Sequence, residues 1–130
     1  MHRNRIVLLV LLALFVMPLA ACGSTQAEAA SAVEDYINAL VAKDDAGLSA
    51  LSCADWEANA LLELDSFQAV AVRLEDLACQ ETGIDDSLTL VACQGKIIAT
   101  YDNEDQELDL SARTYEVVEQ GGEYLICGYR

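Results

Sequence analysis

Apolar and polar positions divide the chain into three parts. Ile6–Ala20 is apolar almost throughout. From about Ser31 to Leu64 apolar residues recur at helical spacing, and after Ser87 they follow the pattern typical of β-strands. The pattern therefore predicts helices in the first half of the domain and strands in the second half.

The first predicted helix runs from Ser31 to about Lys43. Ser31 and Glu34 match a capping box, in which each side chain bonds the other residue's backbone N–H. Its apolar stripe consists of Val33, Ile37, Leu40 and Val41, with Tyr36 alongside. An amphipathic helix of this kind buries the stripe against another layer.

Two shorter helices are predicted next. Asp44 or Asp45 can cap a helix that carries Leu48 and Leu51. Asp55 can cap another, whose apolar residues are Trp56, Leu61, Leu62 and Leu64. The spacing of apolar residues in the following segment, 67–77, fits either a helix or a strand.

Three strands are predicted in the second half, at Leu88–Tyr101, Glu107–Glu119 and Glu123–Tyr129. Asp102–Gln106 joins the first two, and a Gly-Gly turn joins the last two. Together they form an antiparallel meander.

A bend is predicted within the middle strand. Leu108, Leu110 and Ala112 share one face, whereas Tyr115 and Val117 have the opposite parity. Because side chains alternate between the faces of a strand, this change requires a β-bulge or bend near Arg113. The expected fold is α+β, with N-terminal helices packed on a curved antiparallel meander.

The apolar start of the chain has the features of an export signal. Met1–Arg5 is basic, and Ile6–Ala20 is shorter than the roughly 20 residues that span a membrane. Leu19–Cys22 (LAAC) resembles the lipobox of bacterial lipoproteins. The resemblance implies that residues 1–21 are removed, that the Cys22 thiol carries a diacylglycerol, and that the new amino group is often acylated. An ordinary secretory peptide with a chance cysteine is the alternative.

This reading predicts three segments: a signal peptide at 1–21, a lipidated cysteine and tether at 22–30, and one domain at 31–130. The tether is expected because Gly23–Ala30 is small and polar without a periodic apolar pattern. The domain would then lie outside the cytoplasm, in the periplasm or at the extracellular face, anchored to a bacterial membrane through its lipid.

The chain is strongly acidic. It has 7 Lys and Arg against 22 Asp and Glu, a formal net charge of −15, and loss of the leader removes two of the arginines. This charge argues against nucleic acid as a partner and against electrostatic binding to anionic lipids. It fits either a solvated acidic surface or attraction of cations or a basic partner.

Four cysteines follow Cys22, at Cys53, Cys79, Cys93 and Cys127. An even number outside the cytoplasm predicts two disulfides, and no Cys-x-x-Cys spacing offers a redox or zinc motif. Three connectivities are possible. If 74–82 is a strand that pairs with the strand from Leu88, Cys79 lies nearly opposite Cys93, and Cys53 would bond Cys127 and tie the helices to the last strand.

Two stretches resemble domains of the nuclear transport factor 2-like superfamily. They are Tyr36–Leu51 (YINALVAKDDAGLSAL) and the C-terminal 121–130 (GGEYLICGYR). The resemblance implies a cone-shaped, curved sheet wrapped around the first helix, often enclosing a cavity, and sheet-to-sheet homodimers are common among such proteins. Some of these proteins are enzymes, whereas others bind ligands or proteins, so the fold does not decide the function.

Catalytic chemistry is limited by the absence of histidine from the domain, since His2 lies in the leader. Arrangements such as Ser-His-Asp are excluded, and an isomerase-like site would need Asp with Tyr. Acidic residues crowd a predicted hairpin end, but they lack the spacing of a calcium loop. They are Asp102, Glu104, Asp105, Glu107 and Asp109.

The sequence therefore predicts no enzyme, metal or cofactor. It favours a non-catalytic binding or accessory module for a protein or a small apolar ligand. The alternatives are a purely structural envelope component and, third, an Asp/Tyr enzyme.

Overall fold

The computed structural model describes residues 24–130. The helices are α1 (Ser24–Ala42), α2 (Asp45–Ala50) and α3 (Glu57–Phe67). The strands are β1 (Ala71–Asp85), β2 (Leu88–Tyr101), β3 (Glu104–Asp109), β4 (Thr114–Gln120) and β5 (Glu123–Tyr129), and a 3₁₀ helix, Leu110–Ala112, separates β3 from β4. The fold is α+β, with helices followed by an open, five-stranded antiparallel sheet. The leader and Cys22 lie outside the described residues.

α1 begins at Ser24, well before the expected start at Ser31. The added turns contain alanine, glutamine and glutamate, which favour helices, and Ala29 is fully buried. Glu34 does not act in a capping box, since its Oε1 accepts a hydrogen bond of 2.9 Å from the backbone N–H of Cys79. Residues 24–30 therefore belong to the helix, where the sequence had suggested a tether.

The sheet has the strand order β1-β2-β4-β5, and β3 also pairs with β2. The Lys96–Tyr101 half of β2 pairs with β3, whereas Thr89–Ala92 pairs with β4. Because two strands divide the length of β2 between them, the chain must bend at the 3₁₀ helix just before Arg113. The bend predicted there is confirmed, but Glu107–Glu119 is two strands instead of one.

The loop expected at Asp102–Gln106 is also shorter than predicted. β3 already begins at Glu104, so Asp102 and Asn103 alone make the turn, with φ values of 48° and 67°. Asp and Asn tolerate this left-handed conformation, which two-residue hairpin turns require.

The undecided segment after α3 is a strand from Ala71 onward. Lys43 stabilises the connection between α3 and β1, because its Nζ donates a hydrogen bond of 2.7 Å to the carbonyl of Val70. Further along, the β1–β2 register shifts between Glu75 and Ala78. Opposite this bulge Gly95 has φ +100°, and a Cβ there would lie 2.5 Å from the Glu75 carbonyl oxygen. Only glycine fits this approach of two backbones.

The core lies between α1 and the sheet. α1 contributes a fully buried stripe, and β2, the 3₁₀ helix, β4 and β5 contribute the opposing side chains. The fully buried members of the stripe are Val33, Tyr36, Ile37 and Leu40. The stripe predicted for the first helix is thus the face that packs on the sheet.

Two disulfides link the layers and strands. Cys79 and Cys93 are directly opposed in the β1–β2 ladder, with a Cα–Cα distance of 4.0 Å. Cys53, in the loop after α2, bonds Cys127 in β5, with a Cα–Cα distance of 5.2 Å. This is the connectivity that the sequence favoured.

The loop that carries Cys53 also pairs with the outer edge of β5. The N–H of Cys53 donates to the carbonyl of Ile126 at 2.9 Å, and the N–H of Ile126 donates to the carbonyl of Leu51 at 2.8 Å. These bonds form a short parallel bridge between Ser52 and Ile126.

Among the helices of residues 24–130, none combines the length and apolar character needed to cross a membrane.

We expect the two disulfides to differ in their contribution to stability. Cys53–Cys127 closes a sequence separation of 74 residues and Cys79–Cys93 one of 14. Loop-closure entropy then gives about 4 kcal/mol for the first and about 3 kcal/mol for the second. Urea unfolding of the Cys→Ser double variants should show the larger loss for Cys53/Cys127, and equal losses would contradict this ranking.

Candidate functional site

The candidate site lies where α3 faces β2, β3 and the start of β4. α3 contributes Glu63 and Phe67, and the bend after the 3₁₀ helix places Arg113 against them. Arg113 Nη1 donates a hydrogen bond of 2.7 Å to Glu63 Oε1. The two side chains are only 16% and 14% exposed, so this is a largely buried ion pair.

Aromatic rings form one wall of the ion pair. The Arg113 guanidinium lies over the ring of Tyr129, 4.0 Å from its centroid, in a cation–π contact. Tyr129 packs edge-to-face on Tyr115 and on Trp56, with centroid distances of 5.7 and 5.4 Å. Trp56 Nε1 in turn donates to the hydroxyl of Tyr36 at 3.1 Å. Aromatic residues from α1, β4, β5 and the position before α3 thus form one connected cluster, of which Tyr129 contacts Arg113.

The pKa values in this cluster are shifted by burial and by the Glu63–Arg113 ion pair. Burial would lower the pKa of Arg113, but the hydrogen bond and charge of Glu63 outweigh it, and the pKa is raised. Burial raises the pKa of Tyr115 to about 12, although the nearby Arg113 guanidinium offsets part of the effect. Burial also raises the pKa of Tyr36, against the hydrogen bond from Trp56. Both phenols are therefore neutral at physiological pH.

Two polar atoms in this cluster are buried without a hydrogen bond of good geometry, Glu63 Oε2 and the Tyr115 hydroxyl. Leaving a buried polar atom unpaired costs about 1–3 kcal/mol, more for a charged group. Such atoms are uncommon in native structures and call for an explanation, such as a strained or functional site.

A cavity of about 290 Å³ opens beside the ion pair. Its apolar lining comes from Phe67, Ile97, Ala99, Leu108 and Tyr101. Its polar lining comes from Glu63, Ser66, Gln106, Glu107 and Arg113. Tyr101 is 44% exposed, unusual for a large apolar ring. Leu62, 69% exposed, lies one helical turn from Ser66, which also lines the cavity.

This arrangement suits binding of an uncharged, mainly apolar ligand. Apolar side chains supply much of the lining, the charges of Glu63 and Arg113 neutralise each other, and Glu107 is paired with Lys96. A charged ligand group beside the pair would have to lose its hydration without a free countercharge. A polar but neutral group can exchange hydrogen bonds with the ion pair at no such cost.

Several of the acidic residues considered for a calcium site take part in other interactions. Asp105 accepts hydrogen bonds from Arg73 at 3.0 Å and from Thr100 at 2.7 Å, and Arg73 lowers its pKa. Glu107 pairs with Lys96, and Asp109 accepts hydrogen bonds from Ser111 at the 3₁₀ helix. Within residues 24–130, no group of three or more His, Cys, Asp or Glu is placed to hold a metal ion.

Sequence reasoning placed the four cysteines but missed Glu63 and Arg113 as a pair. They are 50 residues apart, and each belongs to an ordinary surface pattern when its own element is considered. The available signal was Arg113 itself, a rare cation at the point where the parity of apolar residues changes. Where the bend buries such a cation against the helical layer, the cation requires an anion as a partner.

No protein-family model matches the chain, and no curated protein shows significant similarity to it.

We expect the Glu63–Arg113 pair to be costly to break from one side. Arg113→Met should lower the free energy of unfolding by about 3–5 kcal/mol, because Glu63 is left buried and unpaired. The double variant Glu63→Leu/Arg113→Met should recover most of this loss, since an apolar pair of similar volume needs no counterion. Urea unfolding measures both values.

Arg130→Met is the matched control. Arg130 pairs with Asp85 and Glu116 but is 51% exposed, so its loss should cost no more than about 1 kcal/mol. A double variant as unstable as Arg113→Met would show that the loss comes from packing of the arginine and has no contribution from an unpaired charge.

Proposed function

We propose that this protein is a lipid-anchored bacterial lipoprotein whose acidic domain, outside the cytoplasm, is a non-catalytic binding module for a small, neutral, mainly apolar ligand. The observation that carries the binding proposal is the cavity of about 290 Å³ between α3 and β2–β3. Its lining combines apolar side chains with several polar ones, as ligand sites generally do, and its volume is near the lower end of their range.

The location rests on the leader and on the disulfides. Leu19–Cys22 resembles a lipobox, and a basic start and short apolar run precede it. Two disulfides among the described residues suit an oxidising compartment. The lipid on Cys22 would supply the membrane attachment that an acidic surface does not.

The fold supports an assignment to the nuclear transport factor 2-like superfamily. A long first helix crosses one face of an antiparallel sheet, and the sheet bends where β2 passes from β4 to β3. The interior next to the helix is filled by aliphatic side chains together with Tyr36 and Tyr115, so the space left for a ligand lies to one side, against α3. This placement favours a small ligand over a large one.

The anchor is tested by replacing the cysteine that would carry it. In cells expressing the full chain, we expect wild type in the membrane fraction and Cys22→Ser outside it. Mass spectrometry of the wild-type N-terminus should show a diacylglycerol thioether on Cys22. Equal fractionation of both forms, with an unmodified Cys22, would rule out the lipoprotein assignment.

The cavity is tested by filling it. Leu108→Trp should occupy the space next to the ion pair and reduce binding of the neutral apolar dye Nile red to the detergent-free, exported Cys22→Ser form. Ile84→Trp, at an exposed position on β1 outside the cavity lining, is the control and should bind as the parent does. Native mass spectrometry of the same samples should find any co-purifying small molecule only where Leu108 is intact. Equal binding by both tryptophan variants would exclude the cavity as the site.

A further inference from the structure

A second groove lies between α1, the end of α2 and the start of β5. Its volume is about 410 Å³. Ala32, Leu51 and Leu125 supply apolar surface, and Tyr124 borders it. The charged residues that line it are all carboxylates, Glu28, Asp35 and Glu123.

The outer edge of β5 runs along this groove. The N–H and C=O of Ile126 point outward and bond the loop after α2. In an antiparallel strand every second residue directs its backbone groups to the same side, so those of Tyr124 point outward as well. The register agrees, since Glu123 pairs with Gln120 at the two-residue turn and Tyr124 faces Glu119 as the next, non-hydrogen-bonded pair. Among the described residues, no backbone hydrogen bond reaches these groups of Tyr124 from the outer side.

A strand edge of this kind accepts an added strand. The segment Leu51–Cys53 already does so at Ile126, over a single bridge. The backbone groups of Tyr124 extend the same edge into the groove, where space is open. Main-chain pairing of an extended peptide to such an edge is a common mode of recognition.

The carboxylates at the groove form no ion pair within the described part of the chain, although the Tyr124 hydroxyl hydrogen-bonds to Glu28. Arg73, Lys96, Arg113 and Arg130 form ion pairs, and none of these involves a groove carboxylate. Lys43 donates to backbone carbonyls between α3 and β1. The rim therefore keeps an uncompensated negative charge, which attracts a cationic ligand.

The spacing of the carboxylates favours a ligand with several cations. Glu28 and Asp35 are two turns apart on one side of α1, which corresponds to about 10 Å along the helix axis. One ammonium group or metal ion cannot contact both. An extended peptide can, because its side chains on one face repeat at intervals of about 7 Å and the others turn to the opposite face.

We propose that this groove binds an extended, basic segment of a partner protein, which adds as a strand to the outer edge of β5 at Tyr124. Lysine or arginine side chains on one face of the added segment pair with Glu28 and Asp35, and the alternate apolar side chains contact Leu125 on the opposite face. A basic residue at the end of the segment pairs with Glu123 beside the turn. This site is separate from the ligand cavity beside Glu63, which shares no lining residue with it.

The first test uses a synthetic peptide of alternating lysine and leucine and the full chain, exported and purified in detergent. Binding, followed by fluorescence anisotropy of the labelled peptide, should weaken as salt is raised. The triple variant Glu28→Gln/Asp35→Asn/Glu123→Gln should bind about tenfold more weakly, because exposed ion pairs with the peptide are individually weak but all three are lost.

The matched control is Asp55→Asn/Asp65→Asn/Glu104→Gln, which removes the same charge from exposed residues outside the groove. It should bind the peptide nearly as well as wild type. Equal weakening in both triple variants would mean that net charge alone attracts the peptide, and the proposal would fail.

A second test examines strand addition and the apolar surface without changing any charge. The same peptide with its alternate backbone nitrogens methylated should bind at least about tenfold more weakly, because it cannot complete the ladder. In hydrogen exchange followed by NMR, the Tyr124 amide should become protected when the unmethylated peptide binds. Ala50→Phe, which fills the groove, should weaken binding, whereas Ala54→Phe, exposed and outside the groove, should not.

Unchanged affinity for the methylated peptide, or a Tyr124 amide that stays unprotected, would exclude strand addition. Binding of the polyamine spermidine or of vesicles containing a cationic lipid, with the peptide unable to compete, would assign the groove to a different occupant and overturn the proposal.

Discussion

The length of β2 is the constraint on which the rest of the structure depends. One strand pairs on the same side with β4 along its first half and with β3 along its second, so the chain between those partners must turn sharply. The 3₁₀ helix makes this turn, and Arg113 follows it toward α3. The buried ion pair with Glu63, the stacking of Arg113 on Tyr129 and the cavity beside them all result from this bend.

The helical layer is held to this sheet by different kinds of interaction at different places. α1 buries its apolar stripe in the core, Glu34 bonds the backbone of β1, and the Cys53–Cys127 disulfide ties the loop after α2 to β5. The loop that carries Cys53 leaves the start of β5 uncovered, because its backbone pairing with this strand stops at Ile126. The same junction therefore stabilises the domain and exposes the edge at which we place a peptide.

Sequence reasoning was most successful where a pattern is local. The stripe on α1, the bend near Arg113 and the opposition of Cys79 and Cys93 all follow from side-chain period or from symmetry about a turn. The start of α1 was missed because an alanine-rich turn has little contrast between apolar and polar faces. The ion pair of the candidate site was missed for another reason. Glu63 and Arg113 come together only because the sheet bends, and the spacing of apolar residues within either element gives no sign of this contact.

The early start of α1 changes what an anchored domain can reach. A flexible tether over 22–30 would allow the domain to move up to about 30 Å from the bilayer, at 3.3–3.6 Å per extended residue. With α1 helical from Ser24, only Gly23 separates the proposed lipid from the folded body. Anchored through the proposed lipid, such a domain would meet a partner by lateral diffusion within one membrane plane, at a nearly fixed height. The molecules it would meet most often are those held at the same height above the same lipid surface.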